Sequence, residues 1–303
     1  MKISCSIILV FSVVFLFSCK KEKKADYTDI IEVLDNTQDA VFDSLTVPEH
    51  LRSIVKQISE INTYETGVLA KGQEKSENSE NFKKLTEIAS DDELRSLLNN
   101  KNKTVAVYAA VGLLNRKPEL LEEIFQKILH LKSKVHTQNG CIFGDQNPAE
   151  PLYDVYCRSL NFKEVRTDLK LRKLDSLIIF NSNSPESLLQ EAFRYRVYPK
   201  SYRKRIEDLA FKNHKIDAVR YLNHWHKGDY ADGIQKEFIS MLKNDSLSYN
   251  KKMILSALLS FRNSENRELV LDYIKKDTLF IDDHEIAKEL ESNGIFPGEY
   301  PTK

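Results

Sequence analysis

Residues 91–131, DDELRSLLNNKNKTVAVYAAVGLLNRKPELLEEIFQKILHL, fall into three short helical runs broken by two polar turns. Each run has one apolar stripe: Leu97 and Leu98 in the first, Val105, Tyr108, Ala109 and Leu113 in the second. The third carries Leu121, Ile124, Phe125, Ile128 and Leu129 at a 3.6-residue period. A lone hairpin of this kind cannot bury its apolar side, so neighbouring hairpins must stack on it. Composition agrees. With only 9 Gly and 8 Pro in 303 residues, few strand-type turns can be built, and stretches rich in Leu, Lys, Glu and Ile favour helix. The 45 basic residues equal the 45 acidic ones, so no global field recruits nucleic acid and any binding must come from a local patch.

The amino terminus sets the expected compartment. One early Lys precedes an apolar run over residues 7–17, too short for a comfortable membrane span and shaped like a secretory signal. Leu16-Phe17-Ser18-Cys19 resembles a bacterial lipobox, in which Cys19 is lipidated and becomes the first mature residue. Phe17 departs from that pattern, since the position two before the cysteine is usually smaller. The alternatives are an ordinary signal or a buried N-terminal helix. A processed lipobox cysteine carries three acyl chains, each gaining roughly 0.8 kcal/mol per buried CH₂, which gives a stable membrane anchor. Residues 20–24, KKEKK, then rest against anionic headgroups or serve as a solvated spacer. The whole start resembles lipoproteins of the Bacteroidetes type. In those, an acidic run after the cysteine is associated with surface export, so this basic tether points to the periplasmic face of the outer membrane. With Cys5 in the signal and Cys19 lipidated, Cys141 and Cys157 remain. They either pair in an oxidising space or stay as two buried, unlinked thiols.

Downstream, the pattern predicts a helix at 25–45 with a polar break near Asn36–Gln38, a helix at 48–61, a polar loop at 67–81 that separates a cap from the body, and helices at 82–89 and 91–99. Thr104 caps the next helix, whose Ala109-Ala110-Val111-Gly112 group lets two helix axes approach closely. Residues 134–151, with two glycines, two prolines and Cys141, read as a long irregular loop. Helices resume over 152–160, 168–180, 184–195, 202–212, 216–226, 234–243, 250–261, 265–276 and 284–293. Connections between most of them are short, as in stacked hairpins.

Leu97-Leu98, the Asn-rich turn, Val105-x-x-Tyr108-Ala109-x-x-Gly112-Leu113 and the following amphipathic helix resemble HEAT-type repeats. A second copy starts at Phe238. In it Met241-Leu242 and Asn244 correspond to Leu97-Leu98 and Asn100, and Leu258-Leu259 to Leu113-Leu114, with a one-residue slip between anchors. The resemblance implies an α-solenoid and is nearly silent on function. The expected plan is all-α: a lipoprotein signal peptide at 1–18, a tether at 19–27, a helical cap at 28–66 and a HEAT-like α-solenoid at 82–303.

Catalytic patterns are incomplete. His284-Glu285-Ile286-Ala287-Lys288 has Lys where a zinc-protease helix needs its second His. His224-Trp225-His226, with His214 upstream, makes a metal pair only if the helix has ended, because i and i+2 point apart. Otherwise it is a polar helix end with Trp225 in the core. Four Ser-x-x-Lys spacings occur without the companion motifs of penicillin-interacting enzymes. Acidic clusters such as Asp91-Asp92-Glu93 fall at helix starts, where the dipole favours them. No cofactor or metal site is expected. The most suggestive surface is FRYRVYPKSYRKR at 193–205, with Arg194, Tyr195, Arg196, Tyr198, Lys200, Tyr202 and Arg203 as a candidate binding patch. Alternatively Phe193 and some tyrosines pack inward and the cations form a solvated rim.

The expected role is a non-catalytic, lipid-anchored envelope scaffold that holds a protein partner or envelope polymer, and not nucleic acid. The rival is a hydrolase or glycan-binding accessory protein in envelope polysaccharide turnover, which requires a deep pocket with convergent carboxylates or aromatics. A third reading is a self-associating structural protein.

Overall fold

The structure, a computed structural model, describes residues 40–69, 76–140, 142–243, 250–276, 284–296 and 298–299, with the side chains of 67–69 and Glu285 excluded. Residues 1–27, expected as signal peptide, lipidated Cys19 and tether, residues 28–39 of the expected cap, Cys141 and Asn244 lie outside the described residues. The chain is mostly helical and divides into two compact units. One comprises the residues up to Tyr108 together with Val135–Asp145, and the other Ala109–Lys134 with Gln146–Lys303. No helix among the described residues is long and apolar enough to cross a membrane.

In the first unit, α1 (Arg52–Ile61) buries Ile54, Val55 and Ile58 on one face. It stops at Asn62, whose left-handed backbone (φ 51°) lets its N–H donate to the Ile58 carbonyl, the role Asn fills at helix ends. The chain then enters β1 (Thr63–Leu69), where the sequence suggested a loop from 67 onward. Helix α2 (Glu77–Ile88) follows, then α3 (Asp91–Leu97), which opens on a capping box formed by Ser90 and Glu93. At the start of α4 (Lys103–Arg116), the cap is Asn102 and not Thr104. Its Oδ1 accepts from Val105 N–H at 3.1 Å, while its Nδ2 donates to Asn62 Oδ1 at 2.8 Å.

Residues 134–151 correct the loop expectation. They form β2 (Val135–Gly140) and β3 (Ile142–Gln146), and the three strands make one sheet in the order β1-β2-β3. Strand β2 runs parallel to β1, with Thr63 opposite His136 and Glu65 opposite Gln138. A parallel pair needs a long crossover, which α2, α3, α4 and the helix Leu121–Leu129 supply, so no local pattern announces it. The all-α expectation holds broadly and misses this sheet. β1 and α2, which flank residues 70–75 of the expected 67–81 linker, fall within one compact unit.

Glu65 fixes β1 against α2. Its buried carboxylate accepts from Ser76 Oγ at 2.5 Å and from Asn78 N–H at 2.9 Å, a negative charge at the positive end of a helix. Tyr108, fully buried, serves the Glu65 backbone. Its hydroxyl accepts from Glu65 N–H at 2.8 Å and donates to Glu65 C=O at 3.2 Å. Its ring lies 4.8 Å from that of Tyr64 and 5.1 Å from that of Phe82.

In the second unit, α5 (Leu121–Leu129) buries Leu121, Ile124, Phe125, Ile128 and Leu129, the stripe read from the sequence. Next come α6 (Ala149–Arg158), α7 (Leu169–Phe180), α8 (Glu186–Arg194) and α9 (Lys200–Glu207), the last extended by a π turn at Asp208–Lys212. The remainder are α10 (Ile216–Trp225), α11 (Lys227–Leu242), α12 (Lys251–Leu259), α13 (Ser264–Lys276) and α14 (His284–Ser292). Contacts follow chain order: α5 packs on α6 and α7, α7 on α8, α8 on α10, α10 on α11, α11 on α12, and α12 on α13 and α14. One close approach depends on glycine, since a Cβ at Gly233 in α11 would sit 3.1 Å from the Phe211 ring.

Replacing Tyr108 with Phe keeps the packing and leaves Glu65 N–H unpaired in the interior. This variant should lose about 1–3 kcal/mol in urea denaturation, and the Glu65 amide should exchange faster than its neighbours.

Candidate ligand-binding cleft

Three helices of the second unit, α8, α10 and α12, each bury one stripe and present the adjoining row to a shared cleft. On α10 that row is Asp217, Arg220, Tyr221 and His224, at i, i+3, i+4 and i+7, which lie above one another on a helix. On α12 it is Met253, Ser256, Ala257 and, at the C-terminal cap, Ser260; α8 adds Gln190, Phe193 and Arg194. The cleft encloses about 450 Å³, inside the usual range for small-ligand sites of roughly 300–1,000 Å³. Its floor is apolar where Phe193, Tyr221 and Ala257 are buried. Small side chains on α12 leave the room.

The charges are arranged in pairs. Arg220 donates to Asp217 Oδ1 at 3.1 Å, and Arg194 to Glu191 at 3.1 Å. Burial raises the Asp217 carboxyl above its ordinary range, with Arg220 pulling it back. Asn223 lines the same cleft, and its buried Oδ1 receives no hydrogen bond from any described residue. At one end Lys227 donates to both the Ser260 carbonyl and Oγ at 2.8 Å, with its ammonium 4.1 Å from the Phe261 ring centre. That contact ties the last turn of α12 to the start of α11. Burial, and then Arg262, lower the Lys227 ammonium from its ordinary range.

Trp225 departs from the core position expected of it. It ends α10, is 39% exposed, and borders the cleft with His224 edge-on at 4.4 Å. The three histidines go to separate partners: His224 to Trp225, His226 against the Tyr221 ring, and His214 to Glu237 at 2.8 Å. Among the described residues no group of three or more metal-ligating side chains converges. Of the cleft-lining residues, Asp217 is the one carboxylate, so the lining does not supply the paired acids of glycoside hydrolysis.

The surface patch expected at 193–205 is split by the fold. Arg196 is 2% exposed and Tyr198 is 8% exposed, so neither can line a surface. Arg196 is drawn inward by Asp175, which is fully buried on α7; Nε lies 2.5 Å from Asp175 Oδ2. The same guanidinium donates to the Tyr153 hydroxyl at 2.5 Å and to the Glu191 carbonyl at 2.9 Å, and Tyr153 donates to Asp175 at 2.7 Å. Burial pushes the Asp175 carboxyl upward, and Arg196 offsets part of that. Tyr198 donates to the Ala192 carbonyl and stacks on Tyr202 at 5.0 Å, whose hydroxyl pairs with Ser176. Arg205 holds the Ile179 and Asn181 carbonyls at the end of α7. Arg203 pairs with Asp229 at 3.5 Å. Arg194, Tyr195 and Lys200 remain outside, and only Arg194 reaches the cleft. Cys157 carries a free thiol that burial pushes up to about 12, leaving it mostly protonated and unreactive.

Exchanging Arg196 for Met strands Asp175 in the interior and should cost about 3–5 kcal/mol by chemical denaturation. Lys200→Ala should stay within about 0.5 kcal/mol of wild type. The triple variant Tyr153→Phe/Asp175→Leu/Arg196→Met should recover most of the loss, because apolar groups of similar volume replace the buried ions and the hydroxyl they engage. No protein-family model, curated protein or solved structure matches the chain, so the chemistry of the cleft itself is what bears on function.

Proposed function

We propose that this chain is a non-catalytic binding protein of the cell envelope, tethered by lipid at Cys19 on the periplasmic face of the outer membrane. In this reading the second unit is an α-solenoid of HEAT-like hairpins, and it holds a protein partner or envelope polymer in the cleft of α8, α10 and α12. The carrying observation is that alternate helices in chain order each contribute one side-chain row to a single concavity. Serially stacked hairpins would produce that arrangement, since the second helix of each pair then faces the same side. Paired charges, an exposed indole and a polar wall with one carboxylate suit holding a ligand better than transforming it.

Two measurements test this. Cys19→Ala should move the chain from the membrane fraction to the soluble fraction and abolish acyl labelling. A Cys19-anchored bait should capture a defined envelope component, with capture lost in Trp225→Ala and Arg220→Glu and kept in Lys200→Glu. Equal capture by all three variants would remove the cleft from the account.

A further inference from the structure

The geometry points to an uncharged sugar ring, part of a neutral glycan, as the ligand of this cleft; the inference rests on the cleft reading above and narrows it to one chemical class. Three independent features each demand a different property of the ligand.

The first is electrical. Arg220 already faces Asp217 and Arg194 already faces Glu191. Glu186, the next acid on α8, is held by Lys215 at 2.9 Å, and Lys227 is spent on Ser260. An anion brought in would sit beside Asp217 and Glu191, and a cation beside two guanidiniums. Either would leave a charge without its partner in a half-desolvated site. A neutral ligand disturbs neither pair.

The second is the density of unsaturated hydrogen-bonding capacity on side chains of fixed planar shape. Arg220 spends one donor on Asp217, and the other Asp217 oxygen is not engaged by it. Asn223 carries an acceptor that no described residue satisfies, and Gln190 and Ser256 project into the same space. A hydroxyl is donor and acceptor at once, so neighbouring hydroxyls on a ring can answer the forked groups of Arg, Asn and Asp together. A peptide backbone offers donors and acceptors pointing in alternate directions, which fits one wall of such a cleft and not three.

The third is the half-exposed indole of Trp225 at the border of a polar cavity. An aromatic face with its negative quadrupole attracts the C–H-bearing face of a pyranose, which is apolar and slightly positive. Sugar rings are apolar on their faces and polar around their edges. The cleft has the matching arrangement, with an aromatic border and polar rows.

Trp225 is the sole tryptophan of the 303 residues, beside 13 tyrosines, so fluorescence excited selectively in the indole reports on this cleft. Detergent-solubilised protein is titrated with gluco-, manno-, xylo- and galacto-oligosaccharides, with oligogalacturonate as the acidic counterpart. At least one neutral series should give a saturable change in Trp225 emission that added salt leaves unaltered. Asn223→Ala should weaken it about tenfold or more, which corresponds to about 1.4 kcal/mol or more, with thermal unfolding unchanged; Arg220→Ala should weaken it as much while also lowering the unfolding midpoint, because buried Asp217 loses its partner. Asp217→Asn removes the negative partner and should shift preference towards oligogalacturonate, an outcome that a purely structural Asp217 would not give. No saturable change with any neutral series, or tighter binding of oligogalacturonate or of acidic peptides by the wild type, overturns the proposal. If the sugars fail while Trp225→Ala still loses envelope capture, the ligand class is wrong and the cleft reading survives. If capture is also indifferent to Trp225, both fall.

Discussion

One-sided burial governs this chain. Its described α-helices, counting the single turn at Glu164–Thr167, run from 4 to 16 residues, a length at which isolated helices are marginal in water. Stability therefore has to come from covering each apolar stripe. In the second unit that requirement is met mainly by helices adjacent or nearly adjacent in sequence. The packing row decides which residues vanish, and by subtraction which row faces the cleft. Arg220 and His224 are accessible because Ile216, Val219 and Leu222 are not, while Asp217 sits buried at the foot of that row.

Polar groups fix the positions that greasy contacts leave loose. The Asp175–Arg196 pair, closed by Tyr153, joins α7, α6 and the end of α8, since Arg196 also binds the Glu191 carbonyl. A buried ion pair is a weak source of net stability; its value here is geometric. It draws the 193–205 segment inward, and Arg194 and Phe193 are then left bordering the cleft. In the first unit, Tyr108 and the Glu65 carboxylate do the corresponding work for β1 and α2.

Much of the helical plan was legible because 3.6-residue periodicity is local. The stripe of α5 and the span of α10, expected over 216–226 and found over Ile216–Trp225, could be read from residues within a turn or two. The sheet could not, because β1 and β2 pair across 73 residues (Thr63 with His136), and the glycines of 134–151 resemble loop punctuation. The inward turn of Arg196 was hidden for a related reason: six cations within 193–205 look exposed until Asp175, 21 residues before Arg196, is known to face it. A signal existed. Asp175 interrupts the Leu171, Leu174, Ile178 stripe, and an acid on an apolar face needs a buried partner. The cleft rows were visible singly, as polar residues at i, i+3 and i+7 on α10, but nothing local says that rows some thirty residues apart share one concavity.

Serial packing is therefore what the cleft stands on, and native-state hydrogen exchange tests it most directly. Leu222→Ala opens a cavity in the fully buried face of α10, at a cost of about 2–5 kcal/mol. Protection should fall in α10 and in the elements packed on it, namely α8, α9 with its π turn, and α11. Helices α5 and α13 should keep wild-type protection, as nearest-neighbour stacking requires. A uniform loss across the whole second unit, or a loss confined to α10, would contradict the account.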